Sequence, residues 1–231
     1  MATALRRGII MKKIITLVLA LTLIFTFTAC SSNSVKEETT KQTTSADTTA
    51  AENSNTTNKN ILTIYFSSAN TVDATSSATP YFDGVASTEY LAQYINKKVG
   101  GDIAKITPVS DYPEDYNGTA DAAKVENDKD ERPEFQKLDL NPEDYDVIFV
   151  GYPMWWYTLP MIMYTFFDTY DFSGKTIIPF NTHEGSGDGG TYDEIKEFEP
   201  NATVLEGFNV RGGSADKADG DIDEWLEGLN Y

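Results

Sequence analysis

The sequence has one cysteine, one histidine and half as many basic as acidic side chains. A single cysteine excludes an intrachain disulfide, and without a Cys/His cluster the usual zinc and iron–sulfur sites are excluded as well. The 18 Lys+Arg residues against 36 Asp+Glu give a net charge of −18, which argues against binding to nucleic acid or anionic lipid headgroups. The acidic run 219–224 lacks the glycine and the final glutamate of a calcium loop, and it fits the first turn of a helix instead.

An apolar run of about 16 residues, from Ile14 to Ala29, follows four basic residues near the N-terminus. This run is short for a membrane span and is flanked like a signal peptide, so we expect residues 1–29 to be removed. Met11 is a second candidate start, because the sequence restarts there as MKKIITLVLA. The segment 26-TFTACSS-32 resembles a bacterial lipoprotein signal, which implies that Cys30 is lipidated and becomes the mature N-terminus. Ordinary secretion is the alternative.

Residues 31–60 consist largely of Ser, Thr, Asn, Lys and Glu, with almost no large apolar side chain. Such a segment cannot offset its ordering entropy, so we expect residues 30–60 to be a lipidated, disordered tether for a domain at residues 61–231. Residues 1–29 hold four basic residues and no acidic one, which leaves a net charge of −22 for the rest. We therefore expect attachment to the extracytoplasmic face of the cell membrane through the lipid anchor only.

Beyond Asn60, apolar runs typical of strands alternate with stretches of helical periodicity. The predicted strands are Ile61–Phe66, Ile103–Pro108, Tyr145–Val150, Thr176–Phe180 and Thr203–Val210. The predicted helices run from Ser87 or Thr88 as a cap to Gly100, near residues 115–130, from Met161 to about Tyr170, near residues 192–198, and through Ile222 to Leu229. This alternation predicts an α/β fold with a five-stranded parallel sheet and helices on both faces.

Ligands of such sheets bind outside the carboxyl ends of the strands, where three predicted loops meet. The first, 65-YFSSANT-71, offers hydroxyl and N–H groups that suit a phosphate. The second, 151-GYPMWWYTLP-160, offers flat aromatic rings, and the third, 181-NTHEGSGDGG-190, offers a glycine-rich turn that a ligand can approach closely. These three loops suit a molecule with a phosphate at one end and a planar ring at the other.

Four segments, "ILTIYFSSANT", "DYDVIFVGYPMWWYTLP", "SGKTIIPFNTHEGSG" and "DIDEWLEGL", resemble the flavodoxin-like FMN proteins, in particular the branch found in bacterial lipoproteins. The resemblance extends from Ile61 to Leu229 and implies a doubly wound sheet of order 2-1-3-4-5. It implies that FMN phosphate is bound by Ser67, Ala69, Asn70 and Thr71. It implies that the flavin ring lies against Pro153, Met154, Trp155, Trp156, Thr182, His183, Glu184, Gly185 and Ser186.

The phosphate loop departs from the family pattern Ser/Thr-x-Thr-Gly-x-Thr. Residues 67–71 are one residue shorter and lack the glycine, whose left-handed conformation Asn70 could adopt.

Other features of the three loops have two readings. Trp155 and Trp156 fit a cofactor wall, but also a core or a partner-docking patch. His183 fits a surface residue, a hydrogen-bond partner of the ring edge, or a proton donor to a reduced substrate. Ser186 lies outside a Gly-x-Ser-x-Gly motif and has no histidine beyond its own loop, which argues against a hydrolase triad.

Two classes of function fit these observations. The favoured one is an FMN-binding redox lipoprotein, either an electron carrier or an NAD(P)H:quinone-type reductase, whose chemistry comes from the flavin and requires no catalytic residue of the protein. Its partners would be a quinone, NAD(P)H or a basic redox protein. The alternative is a lipoprotein of the same fold that binds a small ligand without redox turnover, which the short phosphate loop favours.

Overall fold

The computed structural model describes residues 59–67, 85–113 and 115–231. The predicted signal peptide, Cys30, the tether up to residue 58 and residues 68–71 of the phosphate loop lie outside these ranges. Within them, no helix combines the length and apolar character needed to span a bilayer.

The strands of the described chain form one parallel sheet. They are β1 (Ile61–Phe66), β2 (Asp102–Ile106), β3 (Val147–Pro153), β4 (Thr176–His183), β5 (Thr203–Val204) and β6 (Phe208–Arg211). The order is β2-β1-β3-β4-β5, and β6 also pairs with β4 in parallel. The predicted flavodoxin-like fold and strand order are therefore confirmed.

Five α-helices of the described chain flank the sheet: α1 (Ser87–Val99), α2 (Tyr116–Lys129), α3 (Met161–Thr169), α4 (Thr191–Phe198) and α5 (Asp219–Gly228). The predicted cap of α1 is wrong by one residue or two, because Ala86 occupies the N-cap position and makes no side-chain hydrogen bond. The weakly patterned α2 begins where Asp115 accepts a hydrogen bond from the Gly118 N–H at 2.9 Å, which satisfies one of its unpaired amides.

Alternating side chains of the central strands build two cores, one on each face of the sheet. Leu62, Ile64 and Phe66 of β1 pack into one of them together with α3. Val147 and Phe149 of β3 pack into the other together with α1 and α5. Because these strands are covered on both sides, their sequences read as continuous apolar runs.

The predicted fifth strand is divided into β5 and β6. The break lies beside Pro179, whose carbonyl oxygen lies 2.6 Å from the position that a β-carbon on Gly207 would take. Proline has no N–H to donate, so the sheet ladder cannot continue past Pro179 on this side. Strand β5 separates from β4 after Val204, and pairing with β4 resumes in β6, where Phe208 lies opposite Phe180.

Strands β3 and β4 continue about three residues beyond their predicted ends. Tyr152 pairs with Asn181 and Pro153 pairs with Thr182, so part of each predicted loop is strand. The carboxyl edge of the sheet is therefore formed by strands that are longer than the sequence predicts.

Candidate functional site

The aromatic stretch after β3 is a tight turn. Trp155 and Thr158 exchange two backbone N–H···O hydrogen bonds of 3.1 Å, and the two residues between them, Trp156 and Tyr157, have φ values of +52° and +62°. These are the features of a type I′ turn, which normally contains Asn and Gly. A left-handed conformation costs a non-glycine residue roughly 1–2 kcal/mol, and such strain is concentrated at functional sites.

The two tryptophans have different surroundings. Trp155 is 4% exposed and packs edge-on against Phe66 and Tyr112, with ring centroids 5.3 and 4.9 Å apart. Trp156 is 43% exposed, and its indole Nε1–H donates to the Ala120 carbonyl of α2 at 2.8 Å. Trp155 therefore belongs both to the core and to the site, whereas Trp156 ties the turn to α2.

The glycine-rich loop after β4 is fixed by side chains of β4. The Nδ1 atom of His183 accepts a hydrogen bond from the Gly185 N–H at 2.8 Å, and Asn181 Nδ2 donates to the Gly187 carbonyl at 3.1 Å. At Gly189, with φ +58°, a β-carbon would lie 2.6 Å from Met154 Cε. The loop thus packs directly on the aromatic turn, and a glycine is favoured at position 189 by its positive φ and by the Tyr157 carbonyl oxygen 3.1 Å from the β-carbon position.

His183 is buried, and burial together with the nearby positive charge of Arg211 lowers the pKa of its imidazole. The ring is therefore neutral at pH 7, with Nδ1 occupied as an acceptor. In the described contacts, its role is to position the loop.

A cavity of about 430 Å³ lies between the turn, the loop and the first turns of α2. Its volume is in the range of small-molecule sites. The residues that line it are Tyr116, Thr119, Ala120, Ala123, Met154, Trp155, Trp156, Tyr157, Glu184, Gly185 and Ser186. The sequence does not predict Tyr157 or the part of the lining that α2 provides, which we call the α2 wall: Tyr116, Thr119, Ala120 and Ala123. Side chains of these kinds, in a helix or exposed in a turn, do not by themselves indicate a ligand site.

Buried hydroxyl groups lie near the same edge. Ser67, directly after β1, and Ser87, the first residue of α1, are 1% and 0% exposed, and neither hydroxyl has a hydrogen-bond partner in the described chain. An unsatisfied buried hydroxyl is costly, and a ligand can remove that cost. Thr182, by contrast, is fully buried and its Oγ1 lies 2.7 Å from Thr88 Oγ1, which ties β4 to α1.

The structure brings six of the predicted ring-site residues to one place. Met154, Trp155, Trp156, Glu184, Gly185 and Ser186 line the cavity. Pro153, Thr182 and His183 lie in strand ends beneath it rather than in loops, and Ala69, Asn70 and Thr71 lie outside the described residues.

Comparison with known proteins supports the fold. A flavodoxin family model matches residues 76–229. A protein from Bacteroides eggerthii classed as a flavoprotein is 31% identical, with a TM-score of 0.59, over 74% of this chain and 97% of that one. A similarly classed protein from Bacteroides uniformis is 27% identical, with a TM-score of 0.57, over 71% and 98% of the two chains.

A flavoprotein from Lactobacillus acidophilus, solved in complex with FMN, shares the fold at 19% identity and a TM-score of 0.52, over 73% of this chain and 99% of that one. No curated protein matches this sequence. Because the family model covers most of the chain and includes all five α-helices and strands β2 to β6 of the described residues, the protein belongs to the flavodoxin family.

Proposed function

We propose that this protein binds FMN at the carboxyl edge of its sheet and serves as a low-potential electron carrier or an NAD(P)H:quinone-type reductase. The observation that carries the proposal is the aromatic cavity, bounded by the strained Trp156–Tyr157 turn and the glycine-rich loop. The FMN complex of the Lactobacillus acidophilus relative and the resemblance of the sequence motifs support the choice of cofactor.

The residues present fit both ends of FMN. The cavity is lined by flat and small apolar side chains, which suit a planar ring. The buried hydroxyls of Ser67 and Ser87, which have no partner among the described residues, would bind the phosphate, together with the N–H groups at the start of α1. FAD is a weaker fit, because no segment of the sequence resembles a separate adenine site.

The chain would bind, orient and shield the cofactor. Trp155 and Trp156 would form a wall for the ring, and the Gly185–Ser186 backbone would approach its polar edge. His183 would hold this backbone in place as a neutral acceptor. When bound, FMN would supply one- and two-electron transfer chemistry, so no covalent catalysis by the protein is required.

Electron-rich aromatic rings and the net charge of −22 on residues 30–231 both oppose the addition of negative charge to a bound ring. We therefore expect the last reduction step to occur at a lower potential than in free FMN. The acidic surface favours a basic redox partner, with association rates that fall as salt rises. In this proposal Cys30 anchors the domain at the outer face of the cell membrane.

Purified protein reconstituted with excess FMN tests the proposal by absorbance, calorimetry and spectroelectrochemical titration. We expect bound flavin and a potential below that of free FMN, together with faster turnover of quinones or reduced nicotinamides. A bound flavin at the free-FMN potential, with no accelerated donor or acceptor, would favour the non-redox ligand-binding lipoprotein. Absence of any flavin binding would overturn the proposal.

A further inference from the structure

The carboxyl end of β6 places a positive charge beside the glycine-rich loop. Arg211 is the last residue of β6 and pairs with His183 at the end of β4. Its guanidinium Nη2 lies 3.1 Å from the position that a β-carbon on Gly185 would occupy. Since Gly185 lines the cavity, the guanidinium lies within one residue of the ligand space.

Among the residues that the structure describes, none forms an ion pair with Arg211. Arg132, the other arginine of the described chain, forms ion pairs with Asp130 and Asp168 at 2.7 and 2.8 Å. Arg211 takes part in no ion pair within residues 59–67, 85–113 and 115–231. The chain has twice as many acidic as basic residues, so most basic side chains could find an acidic partner. An arginine without an ion pair at the rim of a cavity therefore suggests that its partner is a bound anion.

The backbone that follows Arg211 is fixed by packing, and the arginine side chain itself is exposed. The following 3-10 turn, Gly212–Lys217, buries Gly212 and Ala215, which fixes the backbone at its base. His183 is neutral, and the charge of Arg211 contributes to the lowered pKa of that imidazole. Glu184 is the acidic side chain of the cavity lining, so Arg211 also offsets its repulsion of an anion.

We propose that Arg211 is the residue that stabilises negative charge on the reduced ring in this cavity. The inference rests on the proposed FMN function. The acidic surface sets a low potential for the whole site, and Arg211 opposes that effect locally, because a Coulomb interaction weakens with distance and the guanidinium lies beside Gly185 of the cavity lining. Arg211 would therefore bind reduced flavin more strongly than oxidised flavin.

Arg211→Gln, Arg211→Lys and a matched control, Lys97→Gln, test this role in the full chain loaded with FMN. Lys97 is an exposed cation in the last turn of α1, so its loss changes the net charge equally at the other edge of the sheet. Calorimetry gives the affinity for oxidised FMN, and spectroelectrochemical titration gives the potentials of both one-electron steps. Together they yield the affinity for the reduced form.

We expect Arg211→Gln to weaken binding of the reduced form about tenfold more than that of the oxidised form, which lowers the sum of the two one-electron potentials by about 59 mV. Arg211→Lys should retain at least half of the effect, and Lys97→Gln should change the ratio less than twofold. An unchanged ratio in Arg211→Gln with FMN still bound would overturn the role of Arg211 alone. Failure of the wild-type protein to bind FMN would overturn both this role and the proposed function.

Discussion

Trp155 and Thr158 close the aromatic turn with two mutual backbone hydrogen bonds, and they thereby force Trp156 and Tyr157 into left-handed conformations. Neither residue is favoured there, because a β-carbon at positive φ approaches its own backbone. The surrounding contacts hold the turn in this form: Trp156 donates to the Ala120 carbonyl, and Gly189 leaves room for Met154. The strained turn therefore lowers the stability of the fold, but it places aromatic rings at the rim of the cavity.

Tyr157→Gly should therefore stabilise the protein. Glycine removes the strain, and Tyr157 is 76% exposed, so little buried surface is lost. We expect an increase of about 1 kcal/mol in the free energy of unfolding, measured by urea denaturation of the apoprotein. Tyr157→Ala is the control, since it removes the ring and keeps the strain; an equal gain in both variants would show that strain is not the cause.

Substitution of Trp155 should mainly affect stability, whereas substitution of Trp156 should mainly affect ligand binding. Trp155→Ala leaves a cavity between Phe66 and Tyr112 and should cost about 3–5 kcal/mol of unfolding free energy. Trp156→Ala should cost much less, because Trp156 is half-exposed, yet it should weaken FMN binding about 5- to 150-fold through lost stacking.

Trp156→Phe is the matched control, since it keeps a ring and loses the hydrogen bond to Ala120. Binding of FMN by this variant between that of wild type and Trp156→Ala would assign part of the effect to the anchor. Unchanged FMN affinity in Trp156→Ala would contradict the role of this ring.

The sequence predicts which elements exist better than it predicts where they end. The predicted strand Thr176–Phe180 stops before the first polar residue that follows its apolar run, whereas β4 continues through Asn181 and Thr182. Both side chains are fully buried and have hydrogen-bond partners, Gly187 and Thr88 among them, so burial there does not depend on apolar character. Hydrophobic pattern alone carries no record of such partners.

The sequence likewise predicts only part of the candidate site. Loop position at the carboxyl ends of strands locates the aromatic turn and the glycine-rich loop. The α2 wall and Arg211 could not be located, because their positions depend on the α2 packing and on the β4–β6 register. The type I′ turn was also hidden, since Trp-Tyr lacks the Asn-Gly signature of that turn.

Ser67→Ala should separate the contribution of the phosphate to FMN binding from the contribution of the ring. Loss of a hydrogen bond to a charged group costs about 1.5–3 kcal/mol, so FMN should bind about 10- to 150-fold more weakly, whereas riboflavin, which has no phosphate, should bind as before. Thr63→Val is the control, because Thr63 is another fully buried hydroxyl without a partner in the described chain, but it lies within β1. Calorimetry with both flavins checks this, and equal losses for FMN and riboflavin would place the phosphate elsewhere.

Cys30→Ser tests the membrane anchor. If the thiol is lipidated, the substituted protein should leave the membrane fraction or keep its signal segment, with a corresponding change in mass. Fractionation and mass spectrometry of the expressed full chain measure both properties. A protein of unchanged mass and location would contradict lipidation, and replacement of a neighbouring serine, Ser31→Ala, should alter neither.

Glu126 should make the stability depend on pH. Burial raises the pKa of its carboxyl to about 7, helped by the negative charge of Glu131 and opposed by the hydrogen bond that the Tyr112 hydroxyl donates at 3.0 Å. The folded state therefore binds a proton more tightly than the unfolded state, whose glutamate has a pKa near 4.5. Its contribution to stability is complete below pH 4.5 and is lost as the pH rises to about 7.

Glu126→Gln cannot titrate and should lack this loss, while its amide oxygen can still accept from Tyr112. Because Glu126 is partly exposed, solvent screening limits the expected difference to about 1 kcal/mol: between pH 5 and pH 8 the wild type should lose this much unfolding free energy relative to the variant. Urea denaturation at both pH values measures it, with the exposed Glu197→Gln on α4 as the control. The ring centroids of Tyr112 and Trp155 lie 4.9 Å apart, so the tryptophan fluorescence of the folded wild type should also change near pH 7. If wild type and Glu126→Gln show the same pH dependence of stability, another group binds the proton.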